Sequence, residues 1–370
     1  MRDKKLFCSK PFEWLNVDFF PERGSTRLCC PEWLPVVTGN LAEQSLDEVW
    51  NGEKAQEIRE SILDGSFRHC TEHCPWLHSL AGPVQLESEV VEPRLHKIID
   101  DQVTRLDYGP RMLNAGFDQS CNLSCPTCRT RRIVETADAD KIIALQDKIS
   151  DEVLPSVELL YITGSGDAFG SPYFNRWLRH MKRSQLPNAK GIHIHTNALL
   201  WTPKMWEKIP VEIRELIKTC ELSIDGASKE TYEYNRRGGK FETLLENLSF
   251  IRELRQNGQL EYIKMSMVVQ SNNYREMPLF VDLGRRFMVD RVFFTYVVNW
   301  GTFANAAYRT ITVHDSKHPE HGELCDLLKH PSLDDPLVEL GNLAGLAPHR
   351  QSKLSMPTGP VGQLVERLIG

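Results

Sequence analysis

Three cysteines lie close together in the stretch FDQSCNLSCPTCRTRR, which covers residues 117–132. They are Cys121, Cys125 and Cys128, which gives the spacing C-x3-C-x2-C. Cysteine thiolates at this density are typical ligands of zinc or of an iron–sulfur cluster. A structural zinc site needs a fourth ligand nearby, but the next cysteine along the chain is Cys220. Three thiolates on a four-iron cluster leave one iron open to a substrate or cofactor, so we interpret the missing fourth thiol as the functional feature.

A second group of cysteines lies near the N-terminus and consists of Cys8, Cys29, Cys30, Cys70 and Cys74. The segments LNVDFF and TRLCC are typical of a β-hairpin, and SLDEVWNGEKAQEIRESIL predicts a helix with Ser45 as its N-cap. One thiol ahead of the hairpin, one at the hairpin and a pair after the helix can surround a single metal centre. A structural zinc ion and an iron–sulfur cluster are both compatible with such ligands.

The composition favours a cytoplasmic protein that binds neither nucleic acid nor membrane. A chain of 370 residues predicts two or three units, or one larger barrel with additions. The net charge of −6 argues against nucleic acid or an anionic membrane as the main partner. The N-terminus has no apolar run of signal-peptide length, and no apolar stretch reaches the ~18 residues of a membrane span. Thiols stay reduced in the cytoplasm, so clustered cysteines there bind metal or do chemistry more often than they form disulfides.

From about residue 110 the sequence alternates between strand-like and helix-like segments. The predicted strands are RMLNAGF (111–117), VELLYITGS (157–165), GIHIHTN (191–197), CELSIDG (220–226), YIKMSMVV (262–269) and RVFFTYVV (291–298). The predicted helices between them include 138–150, 173–184, 241–258 and 274–287. Six strands separated by helices indicate parallel βα units, in either an open doubly wound sheet or an incomplete barrel. Active sites in both lie at the C-terminal ends of the strands, and the cysteine loop follows the first strand.

The cysteine loop and the strand ends together resemble the radical SAM superfamily. The signature of that superfamily is C-x3-C-x2-C in the loop after the first strand of a partial barrel, and Cys121, Cys125 and Cys128 match it. The resemblance covers roughly residues 110–300 and implies an α/β fold, a partial (β/α)6 TIM-like barrel. It also implies that the three cysteines hold a [4Fe-4S] cluster to which S-adenosylmethionine binds.

The resemblance further implies contacts to S-adenosylmethionine at the ends of strands two to five. TGSGDAF resembles the family's Gly-Gly-Glu segment, which receives the methionine amino group, with Ser in place of Gly and Asp in place of Glu. HTN and LSIDG resemble the third and fourth strand endings, and two polar residues after the fifth strand resemble ribose-contacting positions. The residues assigned in this way are Gly164, Ser165, Gly166, Asp167, Asn197, Ser223, Asp225, Gln270 and Asn272.

The chemistry implied by the resemblance is radical-based C–H activation. One electron, from a reducing partner such as flavodoxin or ferredoxin, cleaves S-adenosylmethionine and releases a 5′-deoxyadenosyl radical, which takes a hydrogen atom from a substrate. We expect a sugar or another small biosynthetic intermediate as substrate, with net oxidation or epimerisation. The alternative is maturation of a peptide or protein side chain. We favour the first, because peptide-modifying relatives often carry a leader-binding domain where this chain has its N-terminal cysteines.

The N-terminal cysteines resemble the SPASM/twitch module, with which radical SAM enzymes hold an auxiliary [4Fe-4S] cluster. The shared features are Cys8, Gly24-x4-Cys29, GNL at 39–41, SLDEVW at 45–50 and Cys70-x3-Cys74. The resemblance implies the ligands Cys8, Cys29, Cys70 and Cys74, with Cys30 as the spare cysteine. In most relatives the module follows the barrel, whereas here it precedes it. A cluster closed by four thiolates would be an electron relay or a structural support, and a structural zinc site remains the alternative.

We therefore expect four regions in the chain. They are the auxiliary-cluster module (1–80), a connector (81–109), the barrel (110–300) and a C-terminal extension (301–370). Cys30 and Cys325 are candidate hydrogen donors to a substrate radical. Two interpretations stay open for several other residues, namely ligand contact or packing for His193, His195, Tyr296 and Trp300, and cluster tuning or a solvated surface for Arg129, Arg131 and Arg132.

Overall fold

The computed structural model describes residues 5–350 apart from 73, 75 and 78–81. The strands in this part of the chain are β1 (Leu6–Cys8), β2 (Trp14–Asp18), β3 (Ser25–Arg27), β4 (Gly39–Asn40), β5 (Val84–Leu86), β6 (Met112–Gly116), β7 (Leu159–Ile162), β8 (Gly191–Thr196), β9 (Ile217–Ser223), β10 (Tyr262–Val269), β11 (Arg291–Tyr296) and β12 (Val338–Glu339). The α-helices are α1 (Lys10–Glu13), α2 (Leu46–Asn51), α3 (Glu53–Leu63), α4 (Pro93–Asp101), α5 (Ala139–Lys148), α6 (Pro172–His180), α7 (Pro203–Trp206), α8 (Val211–Arg214), α9 (Lys229–Asn235), α10 (Phe241–Gln256), α11 (Met277–Arg286), α12 (Asn305–Arg309) and α13 (His321–Leu327).

Ten of the strands form one sheet in the order β12-β11-β10-β9-β8-β7-β6-β2-β3-β4. The six predicted barrel strands, β6 to β11, are consecutive neighbours and pair in parallel. Helices connect them, as expected for βα units. Among the described strands β12 and β4 are the two edges, so the sheet is open and the predicted α/β fold with a partial barrel is confirmed.

The apolar residues of the helices that cover the sheet recur at helical spacing and are buried on one face. In α10, Leu244, Leu248, Ile251 and Leu254 are buried, and they recur every three or four residues along one face. The chain then leaves the helix through Gly258, whose φ of +73° favours glycine. The amphipathic pattern thus fixes which face of the helix packs on the strands.

The N-terminal module joins the barrel sheet through β2, a connection that the sequence did not predict. β2 pairs in parallel with β6, in a register that runs from Trp14 opposite Met112 to Asp18 opposite Gly116. The predicted hairpin is present, since β3 pairs antiparallel with β2. An open barrel leaves the backbone groups of its first strand unpaired, and β2 satisfies those of β6. Alternate residues of β2 therefore face the same side as the barrel interior.

The helix predicted after the hairpin is divided into α2 and α3. Ser45 caps α2 as predicted, with its side chain accepting from the Glu48 amide and the Glu48 carboxylate accepting from the Ser45 amide. The break lies at Gly52, whose extended ψ of 170° ends α2 and starts α3. A side chain at Gly52 would approach the Glu48 carbonyl oxygen to 2.3 Å, so the turn requires glycine.

An ion-pair network ties the module to the barrel. The guanidinium of Arg111, just ahead of β6, lies 2.6 Å from a carboxylate oxygen of Glu13 in α1. It also lies 2.7 Å from a carboxylate oxygen of Glu158, just ahead of β7. One arginine thus joins the end of α1 to the starts of two neighbouring barrel strands.

The remaining regions contain regular structure as well. The predicted connector contains β5 and α4, and the described part of the C-terminal extension contains α12, α13 and β12. Residues 351–370 of the predicted extension lie outside the described residues. No helix of the described chain combines the length and apolar character that crossing a membrane requires.

Candidate active site

The cysteine loop leaves the C-terminal end of β6 and is held by backbone hydrogen bonds. The Cys121 amide donates to the Ile133 carbonyl at 2.9 Å, which closes the loop. The Cys128 amide donates to the Cys125 carbonyl at 2.9 Å, and this tight turn brings the second and third cysteines together. The Ser124 amide donates to the carbonyl of residue 237, which anchors the loop from the opposite side.

Each of the three thiols has a nitrogen donor close to its sulfur. The Arg236 guanidinium lies 3.7 Å from the Cys125 sulfur. The Arg129 guanidinium lies 3.3 Å from the Cys128 sulfur. The side-chain amide nitrogen of Asn197 lies 3.7 Å from the Cys121 sulfur. Donors of this kind stabilise thiolate sulfur, and hydrogen bonds to sulfur set the reduction potential of an iron–sulfur cluster.

Two of the thiols are buried and the third is exposed. Cys121 and Cys125 are buried, whereas Cys128 is exposed toward the cleft described below. Burial raises the pKa of Cys121 to about 12, and the nearby Asp167 carboxylate acts in the same direction. The free thiol is therefore protonated at neutral pH, so cluster binding at this residue must release a proton.

Backbone strain is concentrated at the ends of three neighbouring barrel strands. Thr163 after β7, Ala198 after β8 and Asp225 after β9 have φ values of +80°, +64° and +62°. Non-glycine residues seldom adopt this region, and for a β-branched residue such as Thr163 it is an outlier. Strained backbone of this kind clusters at functional sites. The residues with strained backbone thus lie at the strand ends where the sequence analysis predicts contacts to S-adenosylmethionine.

Asp167 holds two strand ends together. One carboxylate oxygen accepts from the Thr196 hydroxyl at 2.9 Å and from the backbone amide of Asn197 at 2.8 Å. The other accepts from the backbone amides of Phe169 and Gly170. The Asp167 carboxylate is buried, and both of its oxygens already accept hydrogen bonds. The methionine amino group predicted to bind this segment would therefore contact the residues next to Asp167. The assignment of Asp167 to S-adenosylmethionine remains a prediction.

The neighbours of Asp167 line the cleft or lock the loop in place. Gly164 and Ser165 line the cleft, and the Ser165 hydroxyl donates to the Gly116 carbonyl at 2.6 Å. A side chain at Gly166 would lie 2.6 Å from the backbone oxygen of Asp118, so only glycine allows the cysteine loop to approach β7 this closely.

The predicted residues after β9 and β10 form one polar cluster. Asp225 is buried and pairs with Arg236 at 2.8 Å. The side-chain amides of Gln270 and Asn272 both donate to the Asn235 side-chain oxygen, at 3.2 Å and 2.8 Å. The structure therefore brings together three of the predicted residues around the C-terminal end of α9. Ser223 lies apart from them, on the interior face of β9, where it meets His195 at 2.8 Å.

The interior of the partial barrel carries a polar row at the level of the cleft. Asn16, Asn114, Tyr161, His193 and Thr219 occupy matched positions on five neighbouring strands. Barrel interiors are more commonly filled by branched apolar side chains. The side-chain oxygen of Asn114 is buried and has no hydrogen-bond partner among the described residues. A ligand that donates a hydrogen bond would satisfy it.

The two histidines of β8 belong to this polar interior. Tyr161 stacks on His193, with ring centroids 4.3 Å apart, and its hydroxyl lies 3.1 Å from His195 Nδ1. Burial lowers the pKa of His193 to about 3, so its ring is neutral at physiological pH. Burial disfavours the Glu221 carboxylate, but Lys264 and the histidines outweigh it and lower the pKa of Glu221 to about 2. Both histidines are packed in the barrel interior, where His193 Nδ1 lies 2.9 Å from the Thr219 hydroxyl and the buried His193 Nε2 has no partner among the described residues.

Four cysteines of the N-terminal module line one small cavity. The thiols that line it belong to Cys8, Cys29, Cys70 and Cys74. Apart from Lys10, the described residues around them are apolar or aromatic. The four residues are those assigned to the auxiliary cluster, and their assignment as ligands remains a prediction. Four thiols in a largely apolar enclosure fit the donor set of an iron–sulfur cluster.

The spare cysteine and the cysteine loop share a much larger cleft. This cleft has a volume of about 970 Å³ and lies between the N-terminal module and the ends of the barrel strands. Cys30 lines it from the module, and Cys128 and Arg129 line it from the loop. Trp300, which is 66% exposed, lines it from the segment after β11. The cleft therefore lies between the cysteine loop and the wall of the N-terminal module that carries the spare cysteine.

The other candidate residues lie away from this cleft. Cys325, on α13, has its sulfur 3.4 Å from His321 Nε2 and is not among the residues that line the cleft. His314 stacks on Tyr296, with ring centroids 3.9 Å apart. In the described ranges no three His, Cys, Asp or Glu side chains are grouped to hold a single metal ion. The remaining arginines of the loop, Arg131 and Arg132, are exposed.

Three residues of the site were not identified from the sequence. Arg236 and Asn235 lie more than a hundred residues after the cysteine loop, and nothing in the local sequence connects them to it. Asp118 could have been identified from the sequence, because it directly follows the first predicted barrel strand, and functional side chains lie at such strand ends. Its buried carboxylate accepts from the hydroxyls of Ser120 and Ser171, at 3.1 Å and 2.5 Å, and so joins the loop to the start of α6.

Comparison with known families identifies the N-terminal module. Residues 8–75 match the family SPASM, described as an iron–sulfur cluster-binding domain. This part of the chain is a SPASM domain. The match spans all five N-terminal cysteines and confirms an iron–sulfur cluster in place of the alternative zinc. Together with the C-x3-C-x2-C loop at the end of the first barrel strand, this match makes the chain similar to radical SAM proteins that carry a SPASM domain.

Several solved structures resemble the chain at low identity. Streptococcus suis SuiB bound to precursor peptide SuiA is 14% identical, with a TM-score of 0.38 over 67% of this chain and 53% of that chain. TYW1 with a lysine-pyruvate adduct is 15% identical, with a TM-score of 0.37 over 60% and 71% of the two chains. anSMEcpe with bound AdoMet and Kp18Cys peptide is 19% identical, with a TM-score of 0.37 over 51% of each. The chain thus spans about half the length of SuiB, and no curated protein matches it.

Proposed function

We propose that the protein abstracts a hydrogen atom from a substrate bound in the cleft between the SPASM domain and the barrel strand ends. The observation that carries this proposal is that Cys128, Gly164 and Ser165 line the same cleft as Cys30 of the SPASM domain. Bound at the cysteine loop, the cluster and S-adenosylmethionine would supply a 5′-deoxyadenosyl radical after one-electron reduction by a partner such as flavodoxin or ferredoxin.

The residues of the chain would hold these groups and exclude water. Cys121, Cys125 and Cys128 would ligate the cluster, and their nitrogen donors would stabilise its sulfur charge. The cofactor carries the chemistry, so the work of the protein is to position the substrate carbon and to shield the radical from other reactants. Arg236 would hold the end of β9 beside the cysteine loop through its ion pair with Asp225 and its contact with the Cys125 sulfur.

The fate of the substrate radical decides the net reaction. For an oxidation, the substrate would give up one hydrogen atom, one further electron and one proton. The auxiliary cluster, held by Cys8, Cys29, Cys70 and Cys74, would supply an acceptor for the electron, and a base of the cleft would take the proton. Among the described residues of the cleft, the carboxylates of Asp18 and Glu32 are available as that base. For an epimerisation, the substrate radical instead takes a hydrogen atom from a donor thiol, and Cys30 lines the cleft whereas Cys325 does not.

A small polar substrate such as a sugar is favoured by the floor and walls of the cleft. The floor contains Asn16 and Asn114, and the Asn114 side-chain oxygen lacks a partner within the described chain. Trp14 and Trp33 contribute aromatic surface to the same cleft. Hydroxyl donors satisfy buried acceptors, and the apolar faces of a sugar pack on aromatic rings.

A peptide or protein side chain is the second candidate, and exposed aromatic residues at the cleft favour it. The cleft volume of about 970 Å³ lies at the upper end of the roughly 300–1,000 Å³ of ordinary small-molecule pockets, so size alone does not separate the two candidates. Phe20 and Trp300 are exposed by 64% and 66% at this cleft, and exposed aromatic residues are typical of surfaces that bind larger partners. An extended substrate could therefore place one side chain at the reacting centre.

Deuterium transfer from labelled substrates tests the proposal and separates the candidates. Deuterated sugars and peptides are incubated with the reduced protein and S-adenosylmethionine, and deuterium is sought in 5′-deoxyadenosine. Transfer from one class identifies the substrate class. Formation of 5′-deoxyadenosine without label from any library member would contradict both candidates.

The same experiment in heavy water tests the donor. If the reaction is an epimerisation, Cys30→Ser is expected to abolish incorporation of solvent deuterium into the product while 5′-deoxyadenosine still forms. Incorporation at the wild-type level in Cys30→Ser would exclude Cys30 as the hydrogen donor.

A further inference from the structure

Lys10 is a buried cation inside the SPASM domain. It lies on α1, only 5% exposed, and lysines are seldom buried at this level unless they are paired. Its ammonium lies 3.8 Å from the ring centroid of Trp14 and 4.6 Å from that of Trp76. In the described part of the chain no carboxylate forms an ion pair with it, so two indole rings take the place of a counterion.

Lys10 lines the cysteine cavity of the SPASM domain. It is the one charged side chain among the described residues around that cavity. Lys10 and the thiols of Cys8 and Cys29 line this same enclosure. Once the thiolates hold a cluster, their negative charge would be the counterion for this ammonium within the cavity.

The charge of a four-thiolate cluster makes such a cation consequential. A four-iron cluster with a core charge of +2 and four thiolates has a net charge of −2, and one-electron reduction takes it to −3. The charge sits among apolar side chains, where electrostatic interactions are stronger than in water. A fixed positive charge stabilises the reduced form more than the oxidised form, and therefore raises the reduction potential.

Lys10 also lines the cleft on its other side. It appears together with Trp14 and Cys30 in the wall of the cleft that the SPASM domain contributes. The cation therefore lies between the auxiliary-cluster cavity and the space assigned to the substrate. An electron that leaves a substrate radical for this cluster would travel toward the positive charge.

We propose that Lys10 sets the reduction potential of the auxiliary cluster and so makes that cluster an electron acceptor for the substrate radical. Lys10 is a positioning residue for electron transfer, since it acts on the cluster through space. The proposed role as acceptor rests on the proposed function, whereas the effect on the potential depends only on the cluster in the SPASM domain.

The test measures the auxiliary cluster alone. In the full chain with Cys121, Cys125 and Cys128 replaced by alanine, the potential is measured by redox titration followed by electron paramagnetic resonance. Lys10→Met and Lys10→Gln are each expected to make reduction of the cluster about tenfold less favourable, a shift of about 59 mV to lower potential for one electron. Lys10→Arg, which keeps the charge, is expected to stay near the parent value.

A matched control is Lys54→Met, because Lys54 is an exposed lysine of the same domain whose ammonium pairs with Glu57 at 2.8 Å. It should leave the potential unchanged. A parent potential in a folded Lys10→Met or Lys10→Gln variant that retains the cluster would overturn the proposal. Loss of the cluster from Lys10→Arg as well as from the two neutral variants, with the fold retained, would also overturn it by assigning Lys10 to packing.

The titration does not depend on S-adenosylmethionine cleavage. A protein that fails to form 5′-deoxyadenosine can still show the predicted shift, so failure of the proposed function is distinguished from failure of this proposal. Conversely, an unchanged potential in a protein that does cleave S-adenosylmethionine contradicts only the role of Lys10.

Discussion

At the scale of single residues, the site depends on buried charges that lie far apart in sequence. Arg236 pairs with the buried carboxylate of Asp225 at 2.8 Å and also reaches the sulfur of Cys125 at 3.7 Å. It thereby links the end of β9 to the cysteine loop. The cysteines could be predicted because their spacing is local, whereas Arg236 could not, since only the folded barrel brings it to them.

Removal of Arg236 should destabilise the protein strongly. Arg236→Met leaves the Asp225 carboxylate buried without its cation, and breaking a buried ion pair costs about 3–5 kcal/mol. We expect the free energy of unfolding of the cluster-free protein, measured with urea, to fall by about this amount. Arg237→Met, at an exposed neighbouring position, is the control and should change it by less than about 0.5 kcal/mol. Equal effects of the two substitutions would show that the pair does not hold the site.

At the scale of elements, the sequence predicted the barrel strands but neither the pairing of β2 with β6 nor the break between α2 and α3. All six barrel strands lie where alternation and apolar runs predicted them, with bounds that differ by a few residues. The joining of β2 to β6 was missed, because a strand's pattern records which faces are buried but not which neighbour its backbone pairs with. The break at Gly52 was missed because a single glycine is tolerated within a helical pattern.

The close approach of the cysteine loop to the end of β7 depends on Gly166. A side chain there would lie 2.6 Å and 2.7 Å from the backbone oxygens of Asp118 and Ser120, which cannot move without displacing the loop. Gly166→Ala is therefore expected to lose the cluster of the cysteine loop and to retain that of the SPASM domain. Iron analysis should find about four irons per chain in place of about eight.

The control for this substitution is Gly345→Ala, because a side chain at Gly345 would meet nothing within 4 Å. It should retain about eight irons per chain. An unchanged iron content in Gly166→Ala would mean that the loop does not need this approach to bind its cluster.

At the scale of the whole molecule, the SPASM domain and the barrel share a sheet and an ion-pair network. Arg111 joins Glu13 of α1 to Glu158 ahead of β7. Burial acts to raise the pKa of Glu158, but hydrogen bonds from Arg111 and Lys190 outweigh it and lower the pKa to about 2. A carboxylate with a depressed pKa stabilises the fold above its unfolded pKa of about 4.3, and this stabilisation is lost as the pH falls toward 2.

Arg111→Met should therefore weaken the acid dependence of stability. The loss of unfolding free energy between pH 7 and pH 3, measured by urea denaturation of the cluster-free protein, is expected to be smaller than in the wild type. Arg179→Met, at an exposed position of α6, should keep the wild-type dependence. Identical pH profiles for all three proteins would show that Glu158 does not depend on Arg111 for its ionisation.

The overall organisation also explains where sequence-based prediction of the site ended. Cys30 and Cys325 were equal candidates as hydrogen donors, because both are single thiols without a local motif. Only the folded chain separates them, since Cys30 lines the cleft and Cys325 lies beside His321. Lys10 was not singled out because nothing in the local sequence marks a lysine that will lie between two tryptophans.

The central claim is that the cysteine loop supports cleavage of S-adenosylmethionine, and formation of 5′-deoxyadenosine tests it most directly. The reconstituted protein is incubated anaerobically with S-adenosylmethionine and dithionite, and the product is quantified by chromatography and mass spectrometry. We predict 5′-deoxyadenosine from the wild type and its loss from Cys128→Ala, which removes the loop thiol that faces the cleft. The absence of 5′-deoxyadenosine from a wild-type protein that holds about eight irons per chain, or equal amounts from the Cys128→Ala variant, would contradict it.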